Sequence, residues 1–523
     1  MRERDLRSEL INTLLTTPHR NLAELYPYHE QMIKQDPLFY VHLAAWYADH
    51  GEVRDHKEMF VVLLSLSNFA GHRDVGLALL RELPPYEVAR VVDFIKGSVV
   101  KRRMPKVRPG RSGKPEYEMV SQNVGLFRNV PRSMRTEITR YLREREDNPK
   151  RFDRTVMAAR RPLKRLYAGL HIPPSTRAQA ILFEDNPPRD SLAFIVKQIT
   201  RARTPAEQAR MIVEYRISYR VASSVIKEMS PMVLAALIEV MTPQEVINNI
   251  ASLKKRGAFN NPDIKVLIDA KLSEAKSDKR VSAYKAKVAV EAAGASDELA
   301  ESLEAVTEAQ VKAKGKITRS TALLIDKSGS MDMAIEVGRR LGAMISAICE
   351  AELITYAFDT VAYSIPAKPH VNPIQRFLKP DTPVEVPAPL SLADWEKALA
   401  GINAGGATSC GIAIKRMRAK QQRVEQIIMV TDEGENAPPR FLDAYRMYAE
   451  ELNVQPAIIL VRVGQATNLI QKACTELGVS PQVFAFSGDY YALPNVIPLL
   501  TYPSLSEMVM EVLDYPLPKR RSA

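Results

Sequence analysis

Thr321-Ala322-Leu323-Leu324-Ile325-Asp326-Lys327-Ser328-Gly329-Ser330 is the stretch on which the reading of this 523-residue chain turns. A short apolar run, of a length suited to a buried strand, ends in a carboxylate and then offers two hydroxyls from a turn. The same grammar continues downstream. Apolar runs at 322–325, 353–358, 426–430, 457–463 and 483–486 alternate with amphipathic stretches at 334–350, 392–402, 409–420 and 439–452. Buried strands alternating with crossover helices predict a doubly wound, mostly parallel α/β sheet over residues 317–523. The proline-rich stretch 366–389 reads as a long surface excursion from it.

In a doubly wound fold, ligands bind beyond the carboxyl ends of the strands. Asp326 places a carboxylate there, and Ser328 and Ser330 add hydroxyls on the same side. Thr408 lies in the loop Gly405-Gly406-Ala407-Thr408-Ser409 ahead of another helix, and Asp432 follows the apolar run 426–430. Singly, each is an ordinary turn or cap residue. Together, two carboxylates and three hydroxyls make a hard oxygen site suited to Mg²⁺ or another divalent cation. Cys410 beside it is a poor Mg²⁺ ligand and reads as a small buried residue. In this order and context the set resembles the von Willebrand factor A domain and its metal-ion-dependent adhesion site. The resemblance implies cation binding and capture of an acidic ligand, and it does not imply catalysis.

Upstream the chain is helical. Helix starts recur as a capping residue followed by proline: Thr17-Pro18, Asp36-Pro37, Thr204-Pro205, Ser230-Pro231, Thr242-Pro243 and Asn261-Pro262. Proline is harmless at that position because its missing N–H would be unpaired anyway. Thr204 with Glu207, and Thr242 with Glu245, predict reciprocal capping boxes. Apolar residues such as Met232, Leu234, Ala235, Leu237, Ile238 and Met241 keep helical spacing, and the region reads as a HEAT-like array of helix pairs, with an irregular helical domain as the alternative since no strict repeat period is visible. Residues 272–316, rich in Ala, Lys and Glu, read as one or two exposed helices bridging two domains. Gly315 and Lys316 mark the boundary, giving domains 1–316 and 317–523.

The net charge of +12 is unevenly placed. Residues 321–523 hold 19 basic and 22 acidic side chains, whereas residues 101–165 hold 20 and 7. Such a field attracts a polyanion, and nucleic acid is the first candidate. Lys101-Arg102-Arg103-Met104-Pro105-Lys106-Val107-Arg108-Pro109-Gly110-Arg111 reads as an exposed loop. Arg128, Arg132, Arg135, Arg140, Arg143 and Arg145 follow in a more helical stretch, and then Arg151, Arg154, Arg160, Arg161, Lys164 and Arg165. Guanidinium groups pair with phosphate in a bidentate fork and stack on bases.

Other classes recede. Three cysteines in no metal-type spacing fit a reducing compartment, and the charged N-terminus does not read as a signal peptide. No apolar run has membrane length, so a cytoplasmic protein is expected. His50 and His56 read as surface or helix-end residues, and Tyr40, Trp46 and Tyr47 as core. No phosphate-binding Gly-x-x-x-x-Gly-Lys loop or nucleophile–His–acid grouping occurs, so no enzyme activity is expected.

A helical array followed by an A domain resembles the Ro autoantigen family, as a bacterial member. The supporting segments are Gly71-His72-Arg73-Asp74-Val75-Gly76-Leu77-Ala78-Leu79-Leu80, Val130-Pro131-Arg132-Ser133-Met134-Arg135 and Pro231–Val240. Arg161-Pro162-Leu163-Lys164-Arg165-Leu166 stands where that family has a Ser-His-Lys stretch, and it lacks the histidine. The resemblance implies a ring-like helical TROVE module carrying the A domain. It also implies binding of Y RNA and of the single-stranded 3′ ends of misfolded RNAs, in RNA quality control or as a scaffold. An exoribonuclease is an implied further partner, and the protein itself is expected as a monomer. Arg132, Arg135, Arg140, Arg160, Arg161, Lys164 and Arg165 are the RNA-binding candidates. Two other readings remain: a Mg²⁺-dependent protein-interaction adaptor, and a metal-dependent nuclease.

Overall fold

A computed structural model of the protein describes Leu14, residues 22–105 except 52, and residues 117–365 except 279, 284, 287, 288, 290–293, 295, 296, 314 and 330. It also describes residues 392–520 except 400, 465, 466, 487–492, 494, 495 and 502–504. The described residues form two compact units. One comprises 22–240 with the C-terminal 509–520, and the other comprises Leu14 with 241–508. The expected boundary at 316/317 marks where the sheet begins. Compactness divides the chain earlier, after Val240.

The first unit is a succession of helices: α1 (Leu22–Gln35), α2 (Pro37–His50), α3 (Arg54–Leu66), α4 (His72–Glu82) and α5 (Pro85–Lys96), then α6 (Arg132–Glu146), α7 (Pro149–Gly169), α8 (Thr176–Phe183), α9 (Leu192–Arg201), α10 (Pro205–Tyr215), α11 (Tyr219–Val225) and α12 (Pro231–Val240). Helices pack on the next and the next but one, α3 on α4, α1 on α3, α3 on α5 and α10 on α12, as stacked helical repeats must. The caps act as their chemistry requires. Asp36 accepts from the Phe39 N–H, and Asn261 from those of Asp263 and Ile264. Thr242 and Glu245 form the full reciprocal box. At Thr204 the box is only half made, because the Glu207 carboxylate reaches past Thr204 to the Arg203 N–H. Tyr40, Trp46 and Tyr47 are core, as expected. His56 is not a surface residue: it is wholly buried and hydrogen-bonds His29 at 2.8 Å, which in turn meets the Tyr40 hydroxyl at 2.9 Å.

The expected basic loop is partly a strand. β1 (Ser98–Pro105), carrying Lys101, Arg102 and Arg103, pairs antiparallel with β2 (Tyr117–Val124), Ser98 opposite Val124 and Pro105 opposite Tyr117. A two-stranded ribbon has no core face to demand apolar alternation, so its charges looked like loop. Residues 106–116, with Lys106, Arg108 and Arg111, lie outside the described residues.

The second unit opens with α13 (Pro243–Lys255), α14 (Pro262–Ala275) and α15 (Asp297–Lys312). The expectation of exposed bridging helices fails at α15, which buries Leu299, Leu303 and Val306 at helical spacing and packs on α14 and on the helix Asp332–Ile348. The sheet runs β5-β4-β3-β6-β7-β8, from β3 (Thr321–Asp326), β4 (Leu353–Phe358), β5 (Ala362–Ile365), β6 (Gln426–Thr431), β7 (Ala457–Arg462) and β8 (Gln482–Ala485). All pairs are parallel except β4 with the short edge strand β5. Helices α16 (Asp332–Ile348), α17 (Leu392–Leu399), α18 (Ile412–Ala419), α19 (Phe441–Leu452), α20 (Leu469–Glu476), α21 (Ile497–Thr501) and α22 (Leu505–Asp514) complete the chain. β3, β4 and β6 are buried at every position, which is why they read as continuous apolar runs. The excursion 366–389 lies outside the described residues.

Candidate metal site and basic surface

Strand order reverses at β3: the chain moves to β4 on one side and later returns to β6 on the other. A crevice opens at such a switch point because the connections leave in opposite directions. Asp326 closes β3 and Asp432 immediately follows β6, so both carboxylates stand at its mouth.

Backbone bonds stitch three loops together here. The Gly329 N–H donates to the Gly406 carbonyl at 3.2 Å, and the Gly405 N–H to the Lys327 carbonyl at 2.8 Å. Thr408 donates its N–H to Asn436 Oδ1 at 2.7 Å, and its carbonyl accepts from Asn436 at 3.0 Å and Ala437 at 2.9 Å. Gly406 has a φ of +86°, a conformation glycine adopts without penalty. The loops carrying Asp326, Ser328, Thr408 and Asp432 are thus held by main chain. Ser330 lies outside the described residues.

Asp326 is fully buried, and Ser328 and Thr408 nearly so. Asp326 Oδ1 accepts from the Ser328 N–H at 2.9 Å, and Oδ2 from the Thr431 hydroxyl at 2.7 Å. Burial lifts its carboxyl above the usual aspartate range; hydrogen bonds from Ser328 and Thr431 pull it down, and the Asp432 charge adds to the rise. Lys327 does not neutralise it, because its ammonium pairs with Asp359 at 2.6 Å. A buried carboxylate whose neighbours are hydroxyls and a second carboxylate suits a hard cation. The donor set therefore fits Mg²⁺. Among the described residues no group of three or more His, Cys, Asp or Glu side chains gathers for a metal, so the hydroxyls are essential to any such site. Cys410 is wholly buried, and burial pushes its thiol well above the ordinary range, as an inert core residue requires.

Sequence reading missed three supports. Thr431 and Glu433 flank Asp432, and Glu435 accepts from the Phe441 N–H. The run Thr431-Asp432-Glu433-Gly434-Glu435 at a strand end was the available signal, but only the aspartate was read from it.

The basic candidates lie on α6 and α7. α6 buries Met134, Ile138, Tyr141 and Leu142 and exposes Arg132 and Arg135. Arg135 donates to the His171 carbonyl at 3.1 Å, and Arg140 stands 3.9 Å from Glu137. Arg145 is buried over the Tyr141 ring and belongs to the core. α7 bends at Ala159 (φ −143°, ψ 39°), three residues before Pro162, whose missing N–H and ring disrupt the preceding turn. Arg160 and Arg161 are both exposed at the bend. Arg160 donates to the Ile181 and Leu182 carbonyls of α8, Lys164 lies over the Phe183 ring, and Arg165 pairs with Asp93 at 2.7 Å. Arg132 and Arg161 are exposed without a hydrogen bond or ion pair to the described residues. The seven candidates thus divide into anchored cations and two uncommitted ones.

No family model matches the sequence, and neither does any curated protein. Among solved structures, the crystal structure of the Ro (Rsr) protein of Deinococcus radiodurans matches with a TM-score of 0.60. Identity is 13%, over 94% of this chain and 99% of that one. Among the described residues no helix is long and apolar enough to cross a membrane. Over 94% of its length, this chain has the fold of a Ro protein.

Proposed function

We propose that the protein binds small structured RNA through the arginine-bearing outer sides of α6 and α7, and acts by binding rather than by catalysis. The observation that carries the reading is the Ro fold over 94% of the chain, joined to exposed arginines on those two helices. Guanidinium groups aligned on helices grip phosphates without reading sequence, which suits selection of RNA by shape and by a loose end. On the Ro likeness, the ligands are a Y RNA and the 3′ single-stranded tails of misfolded RNAs, and an exoribonuclease is a partner. A monomer working in the cytoplasm completes the reading.

Asp326, Ser328, Ser330, Thr408 and Asp432 would hold Mg²⁺. The ion would supply an open coordination position for an oxygen of a bound partner. This chain's part is to keep Asp326 buried and free of competing lysine, and both carboxylates oriented.

The test is a salt titration of binding to a hairpin RNA with a 3′ single-stranded tail, against the same hairpin without it. Six to ten phosphate contacts predict an affinity loss of about 10³–10⁵ between 50 and 200 mM salt, by analogy with duplex DNA. Tail-dependent binding with that steep slope supports the reading. Weak binding, indifferent to tail and salt, sinks it and favours a protein ligand for the cation site.

A further inference from the structure

The bonds behind the cation crevice do not stop at its ligands. The Glu433 carboxylate is wholly buried, and it is taken up on the far side of its own loop. Oε1 accepts from the Arg462 guanidinium at the end of β7. Oε2 accepts from the N–H groups of Ile470 at 2.9 Å and Gln471 at 3.1 Å, in the first turn of α20. The Thr467 hydroxyl donates to the Glu433 carbonyl at 2.6 Å, and the Thr467 N–H to the Asp432 carbonyl at 3.0 Å. Glu433 itself has a φ of +61°, in the left-handed region that non-glycine residues seldom enter. Anchorage of its side chain and carbonyl is what holds it there.

The same residue also faces the crevice. The Glu433 N–H, on the other side of its Cα, donates to Thr431 Oγ1 at 3.0 Å. With one lone pair so engaged, the Thr431 hydroxyl donates its proton to Asp326 Oδ2 at 2.7 Å. Ser328 engages Oδ1, so each oxygen of Asp326 keeps capacity for a cation while its direction is set. Asp432 is turned in the same loop, its Oδ1 accepting from the Gly434 N–H at 2.8 Å.

We propose that Thr431 and Glu433 are positioning residues for the cation site: anchored to Arg462 and α20, they orient the carboxylates of Asp326 and Asp432 before a cation arrives. This rests on the reading of the crevice as a Mg²⁺ site. Partners one layer behind metal ligands act by fixing orientation, and their loss costs about 10–100-fold in metal affinity.

The experiment is calorimetric titration of the full chain with Mn²⁺ as probe, using wild type, Asp326→Ala, Thr431→Val, Thr431→Ser and Glu433→Gln, with the metal-free melting temperature of each. Thr431→Val and Glu433→Gln are expected to weaken Mn²⁺ by about tenfold or more, and Thr431→Ser to restore it, since only the hydroxyl is needed. A merely structural role would lower melting temperatures without that rescue. If Thr431→Val does not fold, Glu433→Gln decides alone. Wild type that takes up no Mn²⁺, or takes it up regardless of Asp326, overturns the cation reading and the proposal with it. Binding that needs Asp326 but is unchanged in Thr431→Val and Glu433→Gln overturns the positioning role alone.

Discussion

The crevice of the second unit and the arginine surface of the first are built on opposite principles. In the crevice, main-chain bonds hold three loops, and a bonded path runs from α20 through Glu433 and Thr431 to a buried carboxylate. On α6 and α7 the charged groups stand on long side chains at the surface, several tethered to nearby carbonyls or acids. A small hard ion demands fixed oxygens, so its site is paid for in backbone geometry. A polyanion is held by the sum of many contacts, none of which needs an exact place. Single substitutions should therefore be severe in the crevice and graded on the surface.

The largest effect should come from Asp432→Ala. Loss of one of two carboxylates should reduce Mg²⁺ affinity by about 100-fold, the upper end of what even supporting residues cost. The contrast breaks if calorimetry shows unchanged binding, or if RNA affinity in the same Mg²⁺ buffer falls in parallel. Gly434→Ala probes the same geometry more gently. A Cβ there would lie 2.8 Å from Asp432 Oδ1, so the carboxylate must move, and a loss of about tenfold in Mn²⁺ affinity is expected.

Acidification separates stability from binding in the first unit. Burial, with the His56 neighbour adding to it, holds His29 well below the ordinary histidine range. The folded state therefore keeps it neutral while the unfolded chain takes up a proton below about pH 6.5, so its contribution is present above that pH and lost as pH falls. Between pH 7.5 and 5.5 that contribution therefore falls. Glu58, which burial lifts to about 8, pulls the opposite way, so the quantity to measure is the difference between wild type and His29→Gln in urea unfolding. A difference that does not shrink toward pH 5.5 removes His29 as a source of acid sensitivity in the stability of this unit. The smallest effect is expected from Arg132→Ala with Arg161→Ala. Removing two phosphate contacts should flatten the log–log salt slope by about 1.4–1.8 while leaving Mg²⁺ binding untouched. An unchanged slope would place the RNA elsewhere.

Much of the second unit was legible because its strands are buried on both faces. The runs 322–325, 353–358 and 426–430 match strands within a residue at each end. The four-residue edge strand β5 escaped, being too short to show alternation and exposing Tyr363. In the first unit the proline-marked caps located helix starts, because that chemistry is local. The fate of Glu207 and the strand nature of Lys101–Arg103 were not local, and each was misread; His56 does stand at a helix end, but its burial was not local either.

Residue types and their order were enough to determine the doubly wound sheet, the helical array before it and the oxygen donors at the strand ends. Periodicity, capping and strand-end chemistry act over a few residues, and a sequence displays them directly. Which arginines remain uncommitted, and that Thr431 and Glu433 stand behind the carboxylates, only the tertiary structure decided. Those properties depend on partners such as Ile181, Asp93, Arg462 and Ile470, distant in the chain and brought near only by packing. A hydrogen bond of 3 Å is a fact about three-dimensional distance, and periodicity carries no record of it.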